Sequence, residues 1–376
     1  MSPSPYPAYD IHKVIHAARN PTHDLVMVYA HRGSRSLGHS TENSLASVAA
    51  AAAAGYEGIE IDVRLTKDGQ VVVWHDHGLG RNSDVLVPAG EEQYNPFTGR
   101  GWSPLVKDTN WFGGMEHLHL RDESGFVTDE RPVLLKELLE FMRAEGITML
   151  VHLDVKDPAV MPYAYEVISK AANAAGVPAM EWCVWVPKGK LFPTPAEWEA
   201  QPWVQQALAA GQGMAFTLLL EEPGHQALDS VKAWAQCPYL LTFEIHVPVP
   251  GGEFQPELDY VREHGFGVGS WYKGGDVARQ YYDTSSKWDV AWDDSAFREG
   301  ILASGPEVKV MLYEFEGLKM HGGVLGEKPT RVTDSRTDLD TLLDTLKFSY
   351  VVADPFTDLG ERLAAMGRRN VSRMLA

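Results

Sequence analysis

Gly58-Ile59-Glu60-Ile61-Asp62-Val63-Arg64-Leu65-Thr66-Lys67-Asp68-Gly69-Gln70-Val71-Val72-Val73-Trp74-His75-Asp76 is the stretch on which the reading of the chain turns. Apolar Ile59, Ile61 and Val63 alternate with Glu60, Asp62 and Arg64, which is the period of a β-strand. Lys67-Asp68-Gly69 is a turn signal, and Val71-Val72-Val73 is a second β-rich run. So short a link cannot carry a parallel crossover, so the second strand is predicted to return antiparallel. Alternation places Glu60 and Asp62 on one side of the first strand. Two carboxylates forced together repel unless a proton or a cation lies between them. The returning strand ends at His75-Asp76 and delivers a histidine beside that pair. Carboxylates with a neighbouring histidine make a candidate site for metal-assisted acid–base chemistry.

Outward from this hairpin, the rest of the chain reads as alternating strands and helices. Before it come a Pro-rich arm over residues 1–24, a buried strand Asp24–Ala30 ending at His31-Arg32-Gly33, and an Ala-rich helix Glu42–Ala54. Thr41 is read as the cap of that helix and Gly55 as its stop. Residues 78–130, rich in Gly, Asn, Asp and aromatics, read as a long insertion near the site. Further strands are expected at Thr148–Lys156, Glu181–Val186, Met214–Glu221, Tyr239–Val247, Phe266–Lys273 and Phe348–Asp354. Helices are expected at Leu134–Glu145, Ala159–Ala175, Glu197–Ala210, Gln226–Gln236, Glu257–His264 and Leu339–Leu346, with a last one closing the chain. Residues 274–336 read as a second long insertion.

Setting the hairpin return aside, eight strands alternate with helices. This predicts a single catalytic domain built as a TIM-type (β/α)8 barrel with both insertions on its C-terminal face. A doubly wound open sheet is the alternative. The barrel is favoured because polar residues mark the C-terminal ends of six strands, whereas an open sheet gathers them near one switch point.

Composition narrows the partners. The 376 residues carry 33 Lys and Arg against 51 Asp and Glu, a net charge of −18. That argues against nucleic-acid binding and against electrostatic docking on anionic membranes. An acidic protein acting on a phosphate needs local cations, so a metal ion gains weight. Hydrophobic residues make up 44%, enough for a sizeable core. The two cysteines, Cys183 and Cys237, lie in apolar runs and are expected to be buried free thiols. The N-terminal residues lack the apolar core of a signal peptide, and no apolar run reaches the roughly 18 residues of a membrane span. A soluble, cytoplasmic enzyme without an integral membrane segment is the expectation, and no feature specifies an oligomeric state.

Each candidate residue has an ordinary structural reading beside its chemical one. His31 at a strand end is a candidate acid or base, although such a histidine is often only a satisfied core residue. Arg32 has the fork to hold a phosphate or to make a structural salt bridge, and Gly33 permits close backbone approach. Glu60 and Asp62 are the strongest pair, because the apolar residues between them carry the strand into the core, where carboxylates need partners. Asp154 adds a third acid, with His152 and Lys156 on its face. Three carboxylates without a Cys/His cluster favour a hard cation, Mg²⁺ or Ca²⁺, over zinc. Lys156 is placed to neutralise a phosphate oxygen. Of His75 and His77, His75 follows the apolar strand and is the better catalyst, while His77 reads as a loop or supporting residue. Asp76 is placed to orient a histidine. Glu42 and Asn43 either pin the His31 loop or serve as ordinary helix-start residues. Trp271 is read as an apolar wall for substrate or as core, and Glu244 and His246 as subsidiary site residues.

The ordered set of motifs resembles the glycerophosphodiester phosphodiesterase family. It comprises His31-Arg32-Gly33, Thr41-Glu42-Asn43-Ser44, Gly58-Ile59-Glu60-Ile61-Asp62-Val63, Thr66-Lys67-Asp68-Gly69 and Val72-Val73-Trp74-His75-Asp76-His77, the last running through Leu79 and Arg81. Looser likenesses follow in Leu118 to Asp122, Glu130 to Leu134, Asp154-Val155-Lys156, Gly269 to Tyr272 and Val352 to Pro355. The resemblance is dense over residues 25–160 and sparse afterwards. It implies a phospholipase-C-like barrel, one divalent cation held by Glu60, Asp62 and Asp154, and His31 and His75 as the acid–base pair. It also implies Arg32 and Lys156 on the phosphate. Asp154 stands where the family usually has Glu. The activity implied is metal-dependent hydrolysis of a small glycerophosphodiester to glycerol 3-phosphate and an alcohol. A lysophospholipase D or cyclic-phosphate-forming lyase acting on lysophospholipids is one alternative, and an inactive barrel serving as a binding module is another.

Overall fold

Parallel strand pairing closes on itself. A computed structural model describes residues 5–34, 40–95, 100–122, 125–155, 157–221, 227–246, 251–272, 339–353 and 359–376. Eight parallel strands form the ring: β1 (Met27–His31), β2 (Gly58–Leu65), β5 (Leu150–Val155), β6 (Cys183–Val186), β7 (Ala215–Leu220), β8 (Leu240–Ile245), β9 (Val268–Tyr272) and β10 (Tyr350–Ala353). Pairing of β1 with both β2 and β10 closes it. These strands are buried along almost their whole length, as strands covered on both faces must be. The fold is the predicted (β/α)8 barrel, not the open sheet.

The hairpin behaves as its sequence requires. The strand β3 (Val71–Val73) returns antiparallel on β2, with Val63 opposite Val73, and β4 (Val133–Leu134) adds to its outer edge. The first insertion packs against this flap. Val72 and Trp74 form a second apolar cluster with Leu79, Val106, Trp111, Met115 and Leu120, separate from the barrel core.

Several elements depart from the sequence reading, each for a local reason. The stretch read as an arm contains a helix, α1 (Ile11–Arg19). Asp10 caps it by accepting from the main-chain N–H of His12 and Lys13, and Ile11, Val14, Ala17 and Ala18 form its buried face. This helix packs on both β5 and β8, so it lies across the N-terminal mouth of the barrel. The helix α2 (Leu45–Ala53) is capped by Ser44 rather than Thr41, in a reciprocal pair with Ser47. The helix α3 (Leu135–Glu145) ends at left-handed Gly146 as expected. The helix α4 (Met161–Ile168) stops short of Ala175, because the Asn173 side chain captures the N–H groups of Ala175 and Val177 at 3.0 and 2.9 Å. Pro202 splits the next predicted helix into α5 (Pro195–Glu199) and α6 (Pro202–Ala209). The remaining helices, α7 (Ala227–Trp234), α8 (Gln255–Glu263) and α9 (Leu359–Ala365), fall close to expectation. Before β10, residues Thr341–Thr345 form a single π-type turn. Cys183 and Cys237 are buried free thiols.

Aromatic rings fill the barrel below its C-terminal rim. Tyr29, Tyr350 and His152 meet there, with ring centres 4.4 Å (Tyr29–His152) and 4.9 Å (Tyr29–Tyr350) apart. Gly58 makes room for them, since a Cβ at this position would lie 2.4 Å from the Tyr29 ring. At the opposite end, the fully buried Glu57 accepts from Val28 N, Tyr9 Oη and Arg369 Nη1, which ties α1 and the C-terminal segment to the floor. Among the described residues, no helix is long and apolar enough to cross a membrane.

Candidate metal and acid–base site

Strand register builds the carboxylate cluster. Glu60 lies beside His31 across β1–β2, and Asp62 lies beside Asp154 across β2–β5. Adjacent strands run about 4.8 Å apart, so inward side chains at matched positions converge at the strand ends. Glu60, Asp62 and Asp154 each offer a carboxylate oxygen, and these oxygens all lie within 4.8 Å of one another. Glu60 and Asp62 are buried, whereas Asp154 is partly open. Three hard oxygen donors crowded in this way repel one another and suit a divalent cation of the Mg²⁺ or Ca²⁺ kind.

The loop after β1 is folded to hold these acids. Arg32 (φ 55°) and Gly33 (φ 77°) turn through the left-handed region, and a Cβ on Gly33 would meet Ser47 at 2.3 Å. The Arg32 N–H donates to Glu60 Oε2 at 3.0 Å. The Arg32 guanidinium is buried. Its Nη1 donates to Glu42 Oε2 at 3.0 Å, and its Nε lies 3.5 Å from Asp62 Oδ2. Asn43, also left-handed (φ 57°), clasps Asp62 twice. Its Nδ2 donates to Asp62 Oδ2 at 3.0 Å, and its Oδ1 accepts from Asp62 N at 3.3 Å. Thr41, read as a helix cap, instead donates its N–H and hydroxyl to Glu130 Oε2 at the end of the first insertion.

The two histidines come from different strands, His31 ending β1 and His75 following β3. His31 Nε2 lies 3.9 Å from Glu60 Oε2, and the His31 ring packs on Trp271 at 4.6 Å. His75 follows β3, and its Nδ1 lies 2.6 Å from Asp76 Oδ1. An ionised carboxylate only accepts, so Nδ1 carries the proton and Nε2 is left as the reactive nitrogen. Burial raises the Asp76 carboxyl, but the Arg81 charge and the His75 hydrogen bond outweigh it and hold Asp76 well below the usual range.

The remaining sequence candidates divide. Trp271 forms one wall, and its Nε1 donates to Glu244 Oε1 at 3.1 Å. Burial pushes the Glu244 carboxyl up to about 7. His246 meets the other side of Trp271 edge-on at 5.4 Å. His77 is exposed and pairs with Arg64 Nη1 at 3.2 Å, whose charge lowers its pKa. Lys156, the insertion 274–336 and the Asp354-Pro355 end of the closing motif lie outside the described residues. Sequence reasoning gave no separate role to Arg81 and none to Glu130. The only signal for Arg81 was its place in the motif that begins at His75.

The model of the glycerophosphoryl diester phosphodiesterase family matches residues 31–180, the segment that carries both histidines and all three acids. Through this segment the chain is similar to the glycerophosphoryl diester phosphodiesterase family. A glycerophosphodiester phosphodiesterase of Bacillus altitudinis is 39% identical over 35% of this chain and 46% of its own length. Against the curated relatives matched at 39% to 43% identity, the chain spans only 23% to 46% of their length. The fold extends further than the sequence likeness. A crystal structure of a glycerophosphoryl diester phosphodiesterase from Parabacteroides distasonis superposes over 96% of this chain and 94% of its own, with a TM-score of 0.56 at 15% identity. One described as a putative glycerophosphoryl diester phosphodiesterase, from Silicibacter pomeroyi, covers 95% and 98%, with a TM-score of 0.55 at 17% identity.

Proposed function

We propose that the protein is a metal-dependent phosphodiesterase that cleaves glycerophosphodiesters to glycerol 3-phosphate and an alcohol. The observation that carries this reading is the Glu60–Asp62–Asp154 cluster with His31 beside Glu60, inside the segment that the family model matches and that also carries His75. The donor set fits a divalent cation, Mg²⁺ or Ca²⁺, which when bound would draw charge from a phosphate oxygen. His75, with Nδ1 tied to Asp76, is suited to take a proton at Nε2 from the attacking hydroxyl. His31, braced between Glu60 and Trp271, is suited to protonate the leaving alcohol. Arg32 supplies fixed positive charge behind the acids, and Lys156, two residues past Asp154 in sequence, is proposed to meet the phosphate. Trp271 offers an apolar wall to the substrate.

The attacking group is either water or the substrate's own 2-hydroxyl, which would give a cyclic phosphate that water then opens. Phosphorus NMR of glycerophosphocholine turnover tests the proposal. Accumulation of glycerol 3-phosphate is expected. A persistent cyclic phosphate would make the protein a lyase, and absence of turnover on both glycerophosphocholine and lysophosphatidylcholine would sink the enzyme reading.

A further inference from the structure

Arg81 belongs to the first insertion, yet its side chain is only 7% exposed and is spent wholly on two site carboxylates. Nε donates to Asp76 Oδ2 at 2.5 Å and Nη2 to Asp76 Oδ1 at 3.1 Å. On the other side, Nη1 donates to Glu42 Oε2 at 3.1 Å and Nη2 to Glu42 Oε1. The two acids belong to different parts of the chain. Asp76 follows β3 and holds His75, whereas Glu42 follows β1 and holds Arg32. The links therefore run His75–Asp76–Arg81–Glu42–Arg32 without a break. A planar guanidinium can fork to both carboxylates, which the single ammonium head of a lysine cannot.

We propose that Arg81 is a positioning residue that fixes the orientation and tautomer of His75 through Asp76 while anchoring the Glu42–Arg32 pair, so that the first insertion completes the site. This rests on the phosphodiesterase reading for its kinetic consequence, but the structural claim stands by itself. Without the guanidinium, Asp76 and Glu42 would be two carboxylates in one buried place, and one of them would take up a proton. A protonated Asp76 no longer requires a donor from His75 Nδ1, so the imidazole loses its fixed tautomer. Consistent with this, the charges of Asp76 and Glu42 outweigh burial and raise the Arg81 pKa.

The test uses the full chain with Mg²⁺ or Ca²⁺ added, and compares Arg81→Lys, Asp76→Asn and the double variant. Arg81→Lys keeps the charge and guards against simple misfolding. On glycerophosphocholine, kcat is expected to fall about 100-fold in each single variant, the size of a general acid–base contribution, with KM nearly unchanged. The double variant is expected to lose no more than the worse single one, since both cut the same link. Added guanidinium is expected to recover part of kcat in Arg81→Ala. Fully multiplicative losses, or an effect confined to KM, would overturn the proposal. A readout independent of turnover is the nitrogen chemical shifts of His75. An Nδ1–H tautomer in the wild type that gives way to a mixture in Arg81→Ala, which removes the charge between the two acids, supports the claim, and an unchanged tautomer refutes it. If the wild type has no turnover, the phosphodiesterase reading fails while this spectroscopic result still decides the role of Arg81.

Discussion

Asn43 is the cheapest place to disturb the carboxylate cluster without touching a carboxylate. It holds Asp62 by one hydrogen bond to the charged oxygen and a longer one to the main chain. A hydrogen bond to a charged group contributes about 1.5–3 kcal/mol, which corresponds to roughly 10- to 150-fold in an equilibrium or rate constant. Its backbone is left-handed at φ 57°, which asparagine and glycine tolerate but alanine adopts at a cost of about 1–2 kcal/mol. Two variants therefore separate the effects. Asn43→Gly removes the clasp and keeps the turn, whereas Asn43→Ala removes the clasp and strains the turn. Cation affinity, measured by calorimetric titration of metal-stripped protein, is expected to weaken by at least about tenfold in both. Urea unfolding is expected to show Asn43→Ala less stable than Asn43→Gly by about 1 kcal/mol. Unchanged cation affinity in Asn43→Gly would refute the claim that Asn43 sets the Asp62 carboxylate.

Two further expectations follow from buried groups. Glu244 anchors the Trp271 indole, so Glu244→Leu should raise KM roughly tenfold while Glu244→Gln, which keeps an acceptor, should stay near wild type; equal effects would show that this bond does not hold the wall. His152 is fully buried, and burial pushes its pKa from 6.5 down to about 3. The folded chain keeps it neutral while the unfolded chain takes a proton below 6.5. Its contribution is therefore intact above that pH and is lost as pH falls toward 3, at up to about 1.4 kcal/mol per pH unit. Unfolding midpoints measured across this range should decline less steeply for His152→Phe, and parallel curves would contradict the assignment.

Much of the site was legible because it rests on strand alternation. Ile59, Ile61 and Val63 bury β2, so Glu60 and Asp62 had to face inward together, and the same period on β5 brought Asp154 to them. What escaped was settled by side chains acting across the chain. Thr41 looks like a helix cap in sequence but reaches Glu130 instead, Ser44 takes the cap, and Asn43, read either as pinning the loop or as a helix-start residue, clasps Asp62. Arg81 had no role of its own in the sequence beyond its place in the motif, because Glu42 and Asp76 meet it only in the fold. Helix boundaries failed where a local competitor intervened, Asn173 after α4 and Pro202 between α5 and α6. The helix α1 was missed because the prolines before it suggested an arm, although Asp10 and the spacing of Ile11, Val14 and Ala17-Ala18 carried its signature.

The most direct measurement is hydrolysis of glycerophosphocholine by metal-stripped protein with Mg²⁺ or Ca²⁺ returned, beside a Glu60→Ala control. Turnover is expected to return with one of these cations in the wild type and to stay absent in the control. Turnover without any cation, or a Glu60→Ala protein restored as fully as the wild type, would contradict the assignment of Glu60, Asp62 and Asp154 as the centre of the chemistry.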